Sequence, residues 1–244
     1  MDFIFSAFAK ALNLIVSLDQ KLVEIVFLSF RVSGLAVAIS AFLGLAIALT
    51  LSIRDFTGKN IIVTVNNTLM GLPPVVAGLF LYLMLSRSGP FGFMKLLYTP
   101  AAMIAAQSIL ATPIIAGLSY AAIASADSSI KFTAITLGAT PFQAAIKTME
   151  QVRYSILASV LAGFGRIVAE VGAVLIVGGN IAGYTRVMTT AIALEADKGD
   201  FELAVALGMV LLLISFALNG FLFYFQRKKI NQLKGRVLNP PLRY

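Results

Sequence analysis

The amino-acid sequence predicts an all-α membrane protein with about five transmembrane helices. Of its 244 residues, 59% are hydrophobic and only 12% are charged, and its mean hydropathy is +0.92. Soluble domains contain about 45–50% apolar and about 25% charged residues. Stretches of about 20 apolar residues, the length that crosses a bilayer as a helix, follow one another along the chain. These observations exclude an ordinary soluble domain and a disordered chain.

Five stretches are predicted to cross the membrane, and they span residues 30–53, 61–85, 100–124, 156–178 and 203–225. All their faces are apolar, which is not typical of soluble helices. The shorter segment 3–18 is amphipathic and is predicted to lie at the membrane surface. A sixth, strongly tilted span formed with residues up to Leu28 is an alternative.

The sequence is therefore divided into three parts. Residues 1–28 form an N-terminal interfacial segment, residues 29–226 a transmembrane domain with a cytoplasmic loop at 125–155, and residues 227–244 a basic cytoplasmic tail.

Lysine and arginine residues predict the orientation. Eleven of them fall on the side of the membrane that holds the C-terminus and six on the other side. Cytoplasmic loops carry the excess of positive charge, so the C-terminus is predicted to be cytoplasmic and the N-terminus external. The net charge of +8 is then explained by loops that meet lipid head groups, and no nucleic-acid partner is expected.

Several absences limit the chemistry of the chain. It contains no Cys and no His, so thiolate metal sites and the usual acid or base near neutral pH are missing. The GxxxxGK[ST] loop that binds nucleotide phosphates is absent as well. We expect no catalytic residue, metal or cofactor on this chain, and energy for uphill transport would come from a partner or an ion gradient.

One carboxylate lies deep in a predicted span. Glu170 follows Arg166 at the i, i+4 spacing that places two side chains on one face of a helix. Each charge alone costs roughly 2.5–3.5 kcal/mol at the centre of an inserted helix, so the two are predicted to neutralise each other. The pair either forms part of a polar strip beside a translocation path or fixes the packing of helices.

Two consecutive prolines interrupt the second predicted span. Pro73 and Pro74 remove two backbone donors and are predicted to break or kink the helix. Non-helical backbone at membrane depth is tolerated only against protein or a cavity, so a gate or a pore lining is favoured over a packing kink. Asn66, Asn67 and Thr68 add polarity one to two turns earlier.

The cytoplasmic loop 125–155 is predicted to contain two short helices. Gly138 ends the first, Thr140 caps the second, and Pro141 occupies its first turn. The second helix is amphipathic, and one face carries Phe142, Ala145, Ile146 and Met149. It either docks into a groove of a soluble partner or lies on the bilayer surface.

This loop resembles the coupling loop of ABC importer permeases, whose Glu-Ala-Ala-xxx-Gly signature is matched by Ala134 and Gly138. Residues 163–173 and 178–186 resemble the molybdate, tungstate and sulfate permeases, and residues 72–76 fit the same group. Residues 176–181 and 186–192 are most similar to tungstate permeases. The coupling-loop residues that the resemblance implies are Ala134, Gly138, Ala139, Thr140, Pro141, Phe142, Ala145 and Ile146.

The resemblance implies a homodimer in a prokaryotic cell membrane, with the translocation path at the dimer axis. A cytoplasmic ATPase subunit would hold ATP and Mg²⁺, and an extracytoplasmic binding protein would deliver an oxyanion. The outer vestibule, or the contact with the binding protein, would be formed by Gly183, Tyr184, Thr185 and Arg186. Arg186 either steers a dianion or anchors the chain at the lipid interface.

Three alternatives stay open at this stage. The same machine could carry molybdate or sulfate, since the oxyanions are similar dianions. An ion-coupled secondary transporter would need a titratable intramembrane carboxylate, for which only Glu170 qualifies. An intramembrane enzyme is disfavoured because His, Cys and deep Asp residues are missing.

Overall fold

The computed structural model describes residues 2–53 and 55–238, and it describes side chains for residues 7–53, 55–221 and 223. Every long regular element in this part of the chain is helical, which confirms the predicted all-α class. The helices are α1 (Asp2–Val16), α2 (Gln20–Ile53), α3 (Lys59–Met70), α4 (Pro74–Leu85), α5 (Pro100–Ala124), α6 (Ser128–Thr136), α7 (Pro141–Gln151), α8 (Arg153–Val168), α9 (Gly172–Gly178), α10 (Met188–Lys198) and α11 (Phe201–Leu238).

Three of these helices, α2, α5 and α11, are long and apolar enough to cross a membrane unbroken. Two pairs are bent at a short break, by 102° between α3 and α4 and by 60° between α8 and α9. If each bent pair is one span, the described residues contain five candidate spans. Their positions match the five apolar stretches of the sequence.

The N-terminal segment forms the separate helix α1. Its 15 residues are fewer than the roughly 20 that cross a bilayer, and its placement at the membrane surface stays a prediction. Asp19 begins the next helix, because its Oδ1 accepts a hydrogen bond from the Leu22 amide at 3.1 Å. The long helix α2 therefore starts at Gln20, so residues 20–29 extend the first span and do not form another.

The packing divides the chain into two compact units that interleave in sequence. One contains Met1–Ser40, Gly71–Ala111 and Phe164–Ser215, and the other contains Ala41–Met70, Thr112–Gly163 and Phe216–Tyr244. The first unit has a buried core around Ala77, Met103 and Val174 and another around Ala11, Leu22 and Leu207. In the second unit a smaller buried cluster is centred on Ala48, Ile123 and Val152.

The segment 179–202, which lies between the last two predicted spans, contains the partly buried helix α10. Its first amide, on Met188, donates to the hydroxyl of Ser29 at 2.8 Å, with both residues buried. The helix is thereby attached to α2 and belongs to the first unit.

The last span continues further than predicted. Helix α11 extends to Leu238, so part of the predicted tail continues the helix. The side chains of the basic run 227–229, together with residues 239–244, lie outside the described part of the chain.

Candidate functional site

The first break lies where the tandem prolines predicted it. Pro73 has an extended backbone (φ −62°, ψ 125°) and Pro74 is the first residue of α4. A proline is tolerated at a helix start because its missing N–H would have no partner there. The backbone is therefore non-helical between α3 and α4, and the predicted helix break is confirmed.

The polar side chains of α3 do not act as a group. The Asn66 amide donates to the Pro113 carbonyl of α5 at 3.1 Å, whereas the Thr68 hydroxyl donates to Thr64 within its own helix. Asn67 and Thr68 are exposed. Asn66 thus attaches α3 to α5, and a role of the other two in a pathway stays a prediction.

The second break was missed by the sequence analysis, which expected one continuous span over residues 156–178. Helix α8 ends at Val168 and α9 begins at Gly172, so Glu170 lies in the break and not on a helix. The expected ion pair nevertheless forms, with Arg166 Nη1 2.7 Å from Glu170 Oε2. The side chain of Glu170 is 5% exposed and that of Arg166 is 41% exposed.

Glu170 holds this break together by three contacts. Besides the pair with Arg166, its Oε1 accepts a hydrogen bond from the Ala173 amide at 3.3 Å, and its backbone carbonyl accepts one from the Thr189 hydroxyl at 2.8 Å. Glu170 precedes Val171, the N-cap residue of α9, which makes no capping bond with its own side chain. The Glu170 carboxylate therefore supplies an acceptor for an amide of the first helical turn, at the positive end of the helix dipole. The glutamate two residues before Gly172 is the sequence signal that could have located this break.

The amide of Gln107 satisfies the other side of the break. Its Nε2 donates to the Ile167 carbonyl at 3.1 Å, and both residues are buried. The same carbonyl also accepts the Glu170 amide at 3.1 Å. The bond from α5 thus adds a second donor at a helix end, where carbonyls lose their intrahelical partners.

The two half-helices that follow the breaks, α4 and α9, pack directly on each other. A Cβ atom at Gly78 would lie 2.7 Å from the Cα of Ala173, and one at Gly172 would lie 2.8 Å from a methyl of Val75. Glycine is therefore required at position 78, where the backbones approach, whereas a Cβ at position 172 would displace the Val75 side chain. Gly78 and Gly172 were not identified from the sequence, although small residues in a span are the usual signal of close helix packing.

The cytoplasmic loop forms the predicted helical hairpin, α6 and α7. Asp127 caps α6 by accepting the Ser129 amide at 2.9 Å, and this bond holds the pKa of the Asp127 carboxyl below its usual value. The chain turns at Gly138 with φ +87°, a region that favours glycine. Thr140 and Gln143 then form a capping box at the start of α7.

The tip of this hairpin displays large apolar side chains. Leu137 is 82% exposed, and Phe132, Phe142 and Ile146 are exposed as well. Ala145, which the sequence placed on the same face, is buried. Leu137 was not selected from the sequence, and its position directly before the turn glycine is the signal that could have identified it. Exposed apolar side chains that cluster at a capped turn are typical of a binding surface.

The loop that follows α9 is held in place by hydrogen bonds of a buried threonine side chain. Thr185 is fully buried, and its hydroxyl donates to the Gly178 carbonyl at 2.6 Å and accepts the Ile181 amide at 2.9 Å. Thr185 thus lies in the loop interior, whereas Tyr184 is exposed beside Gly183 (φ +71°).

Arg186 is engaged within the same loop. Its Nη1 lies 3.4 Å from a carboxylate oxygen of Glu195, which also pairs with Lys198 at 3.2 Å. The Glu195 side chain is buried, so the two cations compensate a carboxylate removed from water. This pairing engages Arg186 within the protein, and a further role in steering an anion stays a prediction.

The chain is similar to known membrane transport proteins. Residues 26–231 match the family described as binding-protein-dependent transport system inner membrane component. A tungstate uptake system permease protein of Peptoclostridium acidaminophilum is 42% identical over 93% of this chain and 100% of that protein. A probable anion ABC transporter permease protein of Haloferax volcanii is 45% identical over 81% of this chain and 88% of that protein.

A solved structure has the same fold. It is a bacterial ABC transporter involved in the import of the acidic polysaccharide alginate, with a TM-score of 0.70 over 90% of this chain and 83% of that one. The two sequences are 16% identical, so the likeness concerns the fold alone.

Proposed function

The chain belongs to the family of binding-protein-dependent transport system inner membrane components, and from this membership we propose that it is the transmembrane subunit of an ATP-driven tungstate importer. The observation that carries the proposal is the similarity to a tungstate permease, which extends over the whole length of that protein. The family and the apolar helices indicate that the chain is a multi-pass inner-membrane protein.

The proposed transporter contains two copies of this chain. Each copy contacts a cytoplasmic ATPase subunit that binds ATP and Mg²⁺, and an extracytoplasmic binding protein delivers the oxyanion. The exposed apolar tip around Leu137 and Phe142 supports a docking contact with the ATPase subunit. The proposed orientation has the C-terminus in the cytoplasm and the N-terminus outside, as the distribution of lysine and arginine predicts.

Rigid parts of the chain suit this role. Both hairpin helices are capped by side chains, so a force applied at the tip displaces the hairpin as a unit. The breaks before α4 and α9 interrupt two spans and provide positions where backbone direction can change. ATP-driven closure of the ATPase pair would switch the path from inward-facing to outward-facing, and hydrolysis would reset it.

Charge in the spans is compatible with the passage of a dianion. The ion pair of Arg166 and Glu170 is neutral overall, so it neither traps nor repels tungstate strongly. Tight recognition is assigned to the binding protein, because a site that held the anion firmly inside the membrane would slow its release. Molybdate and sulfate are the alternative substrates of the same machine.

Ion-coupled transport is less compatible with the geometry. Its coupling ion would need the Glu170 carboxylate, which is already engaged by Arg166 and by the Ala173 amide. No described contact favours this second class over the first.

Two experiments test the proposal. The tagged chain is first purified gently from its native membrane, and two copies of it with two copies of an ATPase subunit are expected. The complex is then placed in liposomes with its binding protein, and ATP hydrolysis is measured with tungstate, molybdate and sulfate. Stimulation by tungstate at the lowest concentration supports the proposal, a preference for another oxyanion changes the substrate, and purification of this chain alone contradicts the class.

A further inference from the structure

A lysine of the hairpin reaches the end of the first transmembrane helix. Lys131 lies on α6, and its Nζ donates to the backbone carbonyls of Ser52 at 3.0 Å and Ile53 at 3.5 Å. These are the last two residues of α2. The final carbonyls of a helix have no intrahelical partner, and a cation beside them is stabilised by the helix dipole.

A second interaction joins neighbouring helix ends at the same place. Asp55, two residues after α2, pairs with Lys59 at 2.7 Å, and Lys59 is the first residue of α3. The Lys59 ammonium also lies 5.5 Å from the centre of the Tyr120 ring near the end of α5, a distance typical of a cation–π contact. The hydrogen bond from Lys59 and then its charge, with a smaller effect from the charge of Lys131, hold the pKa of Asp55 below its usual value.

We infer that Lys131 is a positioning residue that transmits displacement of the α6–α7 hairpin to the end of α2. This inference rests on the proposed function, because it assumes that an ATPase subunit moves the hairpin. Helix α2 has 34 residues and no break, so a displacement at Ile53 is carried along its length. The Asp55–Lys59 pair extends the same connection to the start of α3.

The inference requires two properties of the side chain at position 131. It must be long enough to reach from α6 to α2 and must donate hydrogen bonds to carbonyl oxygens. Methionine has a similar length but no donor, whereas arginine keeps both the charge and the donors. The pair of variants Lys131→Met and Lys131→Arg therefore separates the hydrogen bonds from the mere volume of the side chain.

The test uses the complete complex in liposomes, with its ATPase subunit and tungstate-loaded binding protein. ATP hydrolysis and tungstate uptake are measured on the same preparation. For Lys131→Met we expect at least about fivefold more ATP hydrolysed per tungstate, the lower range of typical coupling between sites, with Lys131→Arg close to the unmodified complex. Lys21→Met, which removes an exposed lysine near the other end of α2, is the matched control and should keep the unmodified ratio.

Two results would overturn the inference. One is a Lys131→Met complex with an unchanged ratio of ATP to tungstate. The other is a ratio that rises equally in Lys131→Met and in Lys131→Arg, because arginine keeps the charge and the donors and the effect would then not depend on them. A failure of the proposed function is distinguishable, since it would appear in the unmodified complex as absent tungstate-stimulated hydrolysis.

A second measurement serves if Lys131→Met fails to assemble. The chain has no cysteine, so Thr50→Cys on α2 and Ser128→Cys on α6, both at exposed positions, can carry a pair of spin labels. The bonds of Lys131 predict that the distance between the labels in the otherwise unmodified complex stays constant when ATP is added. A change as large as one helical turn, about 5 Å, would show that α6 moves independently of α2.

Discussion

The close packing of α4 on α9 gives the sharpest prediction, for the substitution Gly78→Ala. The added Cβ would lie 2.7 Å from Ala173 Cα, 3.2 Å from its carbonyl oxygen and 3.3 Å from its Cβ. Carbon atoms in good contact are about 3.5–4.0 Å apart. The atom met at the shortest distance is backbone, so no side-chain rotation relieves the clash, and the two half-helices must separate by about 1 Å.

Overpacking of this kind costs about 1–3 kcal/mol. For a chain of this length 1 kcal/mol corresponds to about 2–4 °C in the melting temperature, so we expect Gly78→Ala to melt about 2–12 °C lower. The measurement is thermal unfolding of the purified complex in detergent, with tungstate uptake in liposomes as a second readout.

A matched control separates crowding from the general effect of alanine in a helix. Gly34 of α2 has no atom within 4 Å of its added Cβ, and alanine at an unhindered helical position is favourable by about 0.5–1 kcal/mol. Gly34→Ala should therefore melt at the same temperature as the unmodified chain or above it. Equal melting temperatures for Gly34→Ala and Gly78→Ala would refute the argument. Adding Ala173→Gly to Gly78→Ala should restore little, because the new methyl group would still clash with the backbone at position 173.

Three further predictions concern the break, the hairpin tip and its cap. Glu170→Ala should lower the melting temperature more than Glu170→Gln, since the glutamine oxygen can still accept the Ala173 amide; equal losses would assign the effect to the ion pair alone. Leu137→Asp should reduce the amount of ATPase subunit that copurifies, with an unchanged melting temperature of the free chain; undiminished copurification would exclude this side chain from the docking surface. The protection of the α6 amides, measured as the ratio of the intrinsic to the observed exchange rate, should be high while Asp127 is ionised and should decrease as the pH falls through its lowered pKa, because only the carboxylate accepts the capping bond at full strength; the same decrease in Asp127→Asn would contradict this origin.

Local signals in the sequence were sufficient to predict the membrane spans and the α6–α7 hairpin. A span is determined by its own hydropathy, so α5 begins and ends where the apolar stretch does. The hairpin depends on residues adjacent to one another, namely the turn at Gly138 and the cap at Thr140, and both were identified correctly.

Features that depend on distant contacts could not be derived in the same way. The break before α9 is stabilised by Thr189 and Gln107, which are 19 and 60 residues from their partners in the chain. Hydropathy alone continues through that break, because Ala169 and Val171 are apolar. The burial of α10 likewise depends on Ser29, 159 residues before Met188.

The close approach of Gly78 to Ala173 also has a consequence for biosynthesis. Ribosomes add about 5–20 residues per second, so α4 leaves the ribosome roughly 5 to 20 s before the segment that packs on it. During this time α4 is in the membrane with its glycine surface uncovered and with a break behind it at Pro73. The nascent chain therefore passes through a stage at which the surface of α4 around Gly78 is uncovered. A membrane chaperone or membrane protease can distinguish this stage from the finished protein, and the stage ends only when α9 has been inserted.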